Sequence, residues 1–265
     1  GAGGVIVPPR GYFAKVQAIL QKYDIVFVAD EVICGFGRTA NWWGCNTFDL
    51  RPDLVTCAKQ LSSAYLPIAA LLMSDRFYQV LADQSAQLGT LGVGYTYGAH
   101  PVAAAVAVET LRIYESDGII EHVREVSPHF MKRLQRLNDH PLVGEARGVG
   151  LLGGVELVRD KATREQFDPA LKVGPQVSAA ALEEGLIARA MPHGDILGFA
   201  PPLCLSREEA DIIVAAARDA IEEVAFEVHA KNPGQQGEAD VLEGDLLGAF
   251  RRILIDDNDA RVALD

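Results

Sequence analysis

The sequence predicts an α/β protein. Short apolar runs alternate with helical patterns along most of the chain. The first of those runs, residues 25–30 (IVFVAD), is continuously apolar rather than alternating, as befits a parallel strand covered on both faces. And 265 residues with 49% hydrophobic content are ample for a sizeable core, in one large domain or two modest ones.

The elements follow in order. Residues 11–23 (GYFAKVQAILQKY) read as an amphipathic helix leading into the strand at 25–30. Residues 53–58 (DLVTCA) and 67–73 (PIAALLM) read as further strands. From His100 to about Ser116 the chain is Ala-rich and helical, with Pro101 suited to the first turn. The character then changes. A polar amphipathic helix is expected over 120–138, Gly-punctuated strands over 142–158, a helix over 173–184, and short strands at 185–189 and 196–203. Ser206 is placed to cap a helix over 207–225, with Glu209 three residues on completing a capping box. The organisation expected is a large-domain portion over 1–116, a smaller α+β domain over 117–231, and a linker and tail over 232–265. Within that tail, 232–240 reads as linker and 241–255 as a helix.

Composition excludes several function classes. The net charge of −12 leaves no basic footprint for nucleic acid, and no Lys/Arg cluster suits an anionic membrane. No apolar run approaches the roughly 18 to 20 residues of a membrane span. Cys34, Cys45, Cys57 and Cys204 are scattered without a C-x-x-C pair, which reads as reduced thiols of a cytoplasmic protein and not as a disulfide frame or metal site.

Chemistry concentrates where the first strand ends. Its apolar run stops in two adjacent acids, Asp30 and Glu31, followed by a loop holding Gly35 and Gly37. In open α/β sheets, ligands bind beyond the carboxyl ends of the strands, and an acid there needs a partner. Asp30 or Glu31 could instead cap the following turn or pair with Arg38. Lys59 directly follows the strand at 53–58 and would face the same sheet edge. A lone lysine at a strand end is ordinarily just solvated, so the pair is what carries meaning. Lysine joins pyridoxal phosphate covalently, and an acid partners its pyridinium nitrogen.

Taken in order, DEVICGFGRT, CAKQLSSAYLPIAA and GYTYGAHPVAAAVAVETL resemble the class III pyridoxal-phosphate aminotransferases of fold type I, nearest to the ω-amino acid:pyruvate transaminase branch. The resemblance runs from about Gly1 to Val224. It implies part of a mostly parallel-sheet large domain plus a smaller C-terminal domain, the cofactor pyridoxal 5'-phosphate, an amine donor, a keto acid acceptor and a homodimer. It further implies that Lys59 is the catalytic residue and cofactor attachment point, that Asp30 binds the ring nitrogen, and that Val32 packs on a ring face. Thr96 would donate to the phosphate held by the neighbouring subunit, and Arg189 would bind the substrate carboxylate, a task suited to a bidentate guanidinium. Departures are present: Gln60 stands where many members carry Gly, residues 190–193 separate Arg189 from Gly194, and the sequence after Lys231 matches nothing in the family pattern. Family members also carry roughly half their length ahead of the segment matching Gly1, including the Gly/Ser turn that grips phosphate at a helix N-terminus. This sequence is expected to hold the covalent chemistry and to lack much of that grip. A decarboxylase or aminomutase on the same scaffold, a truncated non-catalytic form, and a half that pairs with a separately encoded half remain open readings.

Overall fold

The computed structural model describes Gly1 and residues 3–231; the linker expected at 232–240 and the helix expected within 241–255 lie outside the described residues. The chain divides into two compact units, Gly1–Val224 and Ala225–Asp265. Both sheets belong to the first.

The first sheet has the order β1-β2-β3, built from β1 (Val28–Asp30), β2 (Leu54–Cys57) and β3 (Ala70–Met73). β1 and β2 run parallel, with Asp30 opposite Thr56, and β3 is antiparallel to β2. Helix α1 (Tyr12–Lys22) precedes β1 as the pattern predicts, and Gln17 ties it to the loop before β2 by donating to the Asp49 carbonyl and accepting from the Arg51 amide.

β1 is shorter than the sequence suggests, and local hydrogen bonds explain why. The Ile25 amide donates to Leu20 at the end of α1, and Asp24 leaves that helix in a left-handed conformation. The Phe27 amide is taken by the Asp53 carboxylate. The ladder can therefore begin only at Val28. Nor is the sheet buried on both faces: Val28, Leu71 and Leu72 are about half exposed, at 51%, 53% and 45%.

One short helix and two long ones complete this part. α2 (Gly44–Thr47) lies in the loop after β1. α3 (Asp75–Leu88), which the sequence pattern did not single out, starts after Ser74 and stops at Gly89, whose positive φ of 73° suits glycine at a helix end. α4 (Pro101–Ser116) buries one stripe, Ala103, Ala107, Thr110 and Tyr114.

The second sheet is antiparallel, with the order β4-β5-β7-β6. Its strands are β4 (Val143–Val149), β5 (Leu152–Leu157), β6 (Arg189–Ala190) and β7 (Ile196–Phe199). The strand expected at 185–189 is realised only at its last residue. α5 (Ile119–Gln135) turns Ile120, Val123, Val126, Phe130 and Leu134 inward, a 3-and-4 spacing that makes one continuous apolar face. It rests directly on β5, where a side-chain carbon on Gly153 would lie 2.4 Å from Leu134. α6 (Val173–Glu183) follows. In α7 (Arg207–Lys231) the predicted capping box is present: the Ser206 amide donates to Glu209 Oε2 at 2.8 Å and the Glu209 amide to Ser206 Oγ at 3.1 Å. Among the described residues no helix is long and apolar enough to cross a membrane.

Candidate active site

Parallel pairing of β1 and β2 brings both strand ends to one edge. Asp30 is the last residue of β1, opposite Thr56, and the Glu31 amide extends the ladder by donating to the Thr56 carbonyl at 2.9 Å. Lys59 begins a 3₁₀ turn (Lys59–Leu61) just past the end of β2. Both side chains are solvent-exposed. The Asp30 carboxylate is oriented through Oδ1, which accepts from the Val32 amide at 3.0 Å and stands 3.4 Å from Thr56 Oγ1. Among the described residues no hydrogen bond uses Oδ2. Lys59 has a left-handed backbone, with φ of 43°. That conformation is uncommon for a residue other than glycine and persists only where neighbours hold it.

The two alternatives weighed for the acid pair resolve differently. Glu31 is the capping acid. It is 3% exposed, and its two oxygens accept from the Gly44 and Cys45 amides at 2.8 and 2.6 Å, covering the start of α2. A side chain at Gly44 would stand 2.9 Å from the Cys34 Cβ and 3.1 Å from Glu31, so the cap requires a glycine there. Arg38 pairs with neither acid. It is buried and donates through Nη1 to the Leu151 and Pro201 carbonyls, tying the loop after β1 to the second sheet. Burial lowers its guanidinium to about 10, which leaves it charged at neutral pH. The return contact, from the Leu151 amide to the Arg38 carbonyl, passes Gly150, where an added side-chain carbon would be 2.4 Å from the Arg38 oxygen.

The remaining predicted residues are placed separately. Val32 is half-buried, one residue past Glu31. Thr96 lies in an exposed turn within a stretch, 86–102, whose residues are all exposed. Arg189 is exposed on β6, the edge strand of the second sheet, paired with Gly198. Among the described residues no hydrogen bond joins Thr96 or Arg189 to Asp30 or Lys59. The structure thus brings Asp30, Val32 and Lys59 to one edge and leaves Thr96 and Arg189 apart from it in bonding.

The groups around this edge limit the chemistry. All four cysteines are free thiols. Burial pushes the Cys45 thiol up to about 12, reinforced by its bond to the Glu31 carboxylate, and burial also raises Cys34 and Cys57. These thiols stay protonated, which disqualifies them as nucleophiles at neutral pH. Among the described residues no group of three or more His, Cys, Asp and Glu could hold a metal ion. At the edge itself stand a carboxylate, which can keep a proton on a basic ring nitrogen, and a primary amine, which can join a carbonyl carbon and carry a proton.

Sequence reasoning missed the residues packed around Lys59. Gln60 bonds to the Asp30 loop, and Tyr114 of α4 bonds to Gln60. Gln60 was visible only as a departure from the family's usual glycine, and nothing local marks Tyr114 within an Ala-rich helix.

The family model for aminotransferase class-III matches residues 1–221. A diaminobutyrate–2-oxoglutarate transaminase of Halomonas elongata is 47% identical over 225 residues, covering 84% of this chain and 48% of the relative. A putrescine–pyruvate aminotransferase of Pseudomonas aeruginosa is 46% identical over 229 residues, covering 86% of this chain and 49% of the relative. Among solved structures, an omega transaminase of Pseudomonas jessenii in complex with PMP superposes with a TM-score of 0.83 at 45% identity, over 88% of this chain and 51% of that one. The chain spans about half the length of the relatives it matches.

Proposed function

The chain belongs to the class III aminotransferases, and we propose that it carries the reacting residues of a pyridoxal-phosphate-dependent transaminase that moves an amino group from an amine or ω-amino acid to a keto acid such as pyruvate. The carrying observation is the common edge: Asp30, with one carboxylate oxygen held and the other open, and Lys59 just past the paired strand. These two fit the ring end of pyridoxal phosphate. When bound, that group supplies an electron-poor ring that stabilises negative charge on the carbon beside the amine nitrogen.

On this reading Asp30 Oδ2 holds the proton on the ring nitrogen, and Val32 packs on a ring face. Lys59 Nζ would be the attachment point for the cofactor's carbonyl carbon and, when free, the base that would take a proton from the substrate carbon and give it back. It must be unprotonated to do so. Arg189 binds the substrate carboxylate and swings away from a side chain lacking one. Thr96 serves the phosphate of a neighbouring subunit, so the working unit is a homodimer with composite sites. The division into a cofactor-binding part over 1–116 and a smaller domain from 117, and a cytoplasmic location consistent with free thiols, belong to the same reading.

The names of two relatives support a donor with a terminal primary amine, a feature shared by diaminobutyrate and putrescine. The test is chemical. The protein is incubated with pyridoxal phosphate, reduced with borohydride and mapped by peptide mass. The stable adduct is expected on Lys59. An adduct on other lysines with Lys59 unmodified overturns the assignment. Transamination between putrescine and pyruvate then tests the substrate class.

A further inference from the structure

The strand ladder does not by itself place Lys59. Its last rung joins the Glu31 amide to Thr56, and Lys59 lies three residues further on, in a left-handed conformation that needs support. Two side chains give that support. Gln60 donates Nε2 to the Ile33 carbonyl at 2.8 Å, crossing from the lysine turn to the loop that follows Asp30. Tyr114, 6% exposed on α4, donates its hydroxyl to the Gln60 carbonyl at 2.8 Å and stands 3.1 Å from Ser63 Oγ. The same carbonyl also accepts the Ser63 amide at 3.3 Å, and the turn closes through Leu61 to Ala58 and Ser62 to Lys59 at 3.0 and 3.2 Å. Lys59 is thus bracketed, with the Asp30 loop on one side and α4 on the other.

The Gln60 amide shows what this arrangement gives up. Only its nitrogen can donate to a carbonyl, so Nε2 must face Ile33, and Oε1 is left buried with no hydrogen-bond partner among the described residues. A buried acceptor without a donor is unfavourable and rare in folded proteins. Gln60 is held in that state by a bond whose effect is to fix Lys59 relative to Asp30.

We infer that Gln60 and Tyr114 are positioning residues for Lys59: together they hold its left-handed turn and set the offset of its amine from the Asp30 carboxylate. This rests on the reading of Lys59 and Asp30 as the reacting pair. Neither residue touches the reacting atoms. They act through the lysine backbone. Gln60→Glu keeps the size of the side chain and removes the donor to Ile33. Tyr114→Phe keeps the ring and removes the hydroxyl.

The experiment measures three things on the full chain. Saturating pyridoxal phosphate with borohydride gives the capture rate at Lys59, with Lys22 and Lys132 as internal references in the same molecule. Induced circular dichroism per bound cofactor reports how rigidly the ring is oriented. Hydrogen exchange at the Leu61 and Ser62 amides reports the turn without cofactor. Each variant is expected to slow capture at Lys59 against the reference lysines by about tenfold, within the range that small misplacement of a reacting group produces. Induced dichroism should fall and turn exchange should accelerate, with exchange at Val155 and Leu197 in the second sheet unchanged. Dichroism and relative capture are normalised within each molecule, so a general loss of folded protein does not mimic the result. Faster turn exchange with unaltered capture and dichroism, or no change in any readout, overturns the positioning role. Wild-type capture away from Lys59 overturns the reading beneath it, and the two failures are told apart by that first measurement.

Discussion

The two sheets of this chain differ in what covers them. In the second sheet Val143, Val155 and Leu197 are fully buried, and Leu152, Leu157, Ile196 and Phe199 nearly so. In the first, Val28, Leu71, Leu72 and Met73 stand open, and the neighbouring segments add Ile25, Val26, Tyr78, Val80, Tyr95 and Tyr97. Among the described residues after Ser116, only Leu182, Ile187, Ile212 and Phe226 are large, apolar and exposed. Buried apolar area stabilises at about 25 cal/mol per Å², so the second sheet and α5 carry the larger share of this chain's stability. Of the candidate active-site residues, Asp30 and Lys59 sit at the edge of the less covered sheet, whereas Arg189 lies on β6 of the second. The proposed reacting pair and the larger share of buried apolar area therefore belong to different sheets, with Arg38 as a link between them. Variants on the two sheets should separate accordingly.

The largest separation is expected at Asp30. On the proposed reading, Asp30→Asn puts a neutral amide where a charge would keep the ring nitrogen protonated. Turnover of the assembled enzyme should fall by about two or more powers of ten, comparable to losing a dedicated electrostatic stabiliser. Unfolding of the chain should shift by no more than roughly 0.5 kcal/mol, the usual range for exposed positions. Turnover and denaturant unfolding measured on one preparation check this. Near-normal turnover breaks the assignment of chemistry to the first sheet.

The reverse pattern is expected for Phe130, which is fully buried in α5 against Gly153. Phe130→Ala should cost about 3 to 5 kcal/mol of stability through the cavity it leaves. Leu72→Ala, at a residue 45% exposed on the open sheet, should cost far less. Urea midpoints of the two variants decide the matter, and equal losses would mean that the open face is covered in solution.

The contrast also explains what the sequence could and could not disclose. Helices α1 and α5 were legible because each shows one apolar stripe, α4 because its sequence is Ala-rich with Pro101 in the first turn, and the Ser206–Glu209 cap because its spacing is local. The Asp30–Lys59 edge was legible because each residue closes or follows a short apolar strand. The burial of β1 was misjudged because continuous apolarity records what a strand is suited to touch, and in this chain those faces are bare. Its length was misjudged because Asp53 and Leu20 take the backbone donors of Phe27 and Ile25 from positions that periodicity does not weigh. Glu31 and Arg38 could be narrowed only to competing roles, since their partners are amides and carbonyls, and Arg38 finds its own more than a hundred residues away. Gln60 and Tyr114 escaped for the same reason: a bond to a main-chain carbonyl leaves no mark on the partner's side chain.

A smaller effect tests whether the closed region also depends on its caps. Ser206→Ala removes the acceptor for the Glu209 amide and half of the box that starts α7. The expected loss is about 1 kcal/mol. It should be read from the urea midpoint, with no change in covalent capture at Lys59. A change in capture would mean that the two sheets are coupled more tightly than the assignment allows.

The smallest effect is present at neutral pH and fades in acid. His140 is buried between the 3₁₀ turn after α5 and β4, and its Nδ1 accepts from the Leu142 amide at 3.1 Å. The ring proton therefore belongs on Nε2, which stands 3.1 Å from Glu222 Oε2 on α7. That contact holds the Glu222 carboxyl below its ordinary value, with Arg218 helping and burial acting the other way. A carboxyl whose folded pKa is depressed stabilises the fold fully above its unfolded value, about 4.3. The contribution is lost as pH falls through the lower folded value. Glu222→Gln should therefore be less stable than the wild type at neutral pH, and the gap should close as pH falls through the depressed folded value, where the wild-type carboxyl takes up its proton. Urea midpoints from neutral pH down to pH 3 measure the gap. A gap that stays constant across that range would mean that Glu222 contributes through packing alone and that its charge adds nothing to the contact with His140.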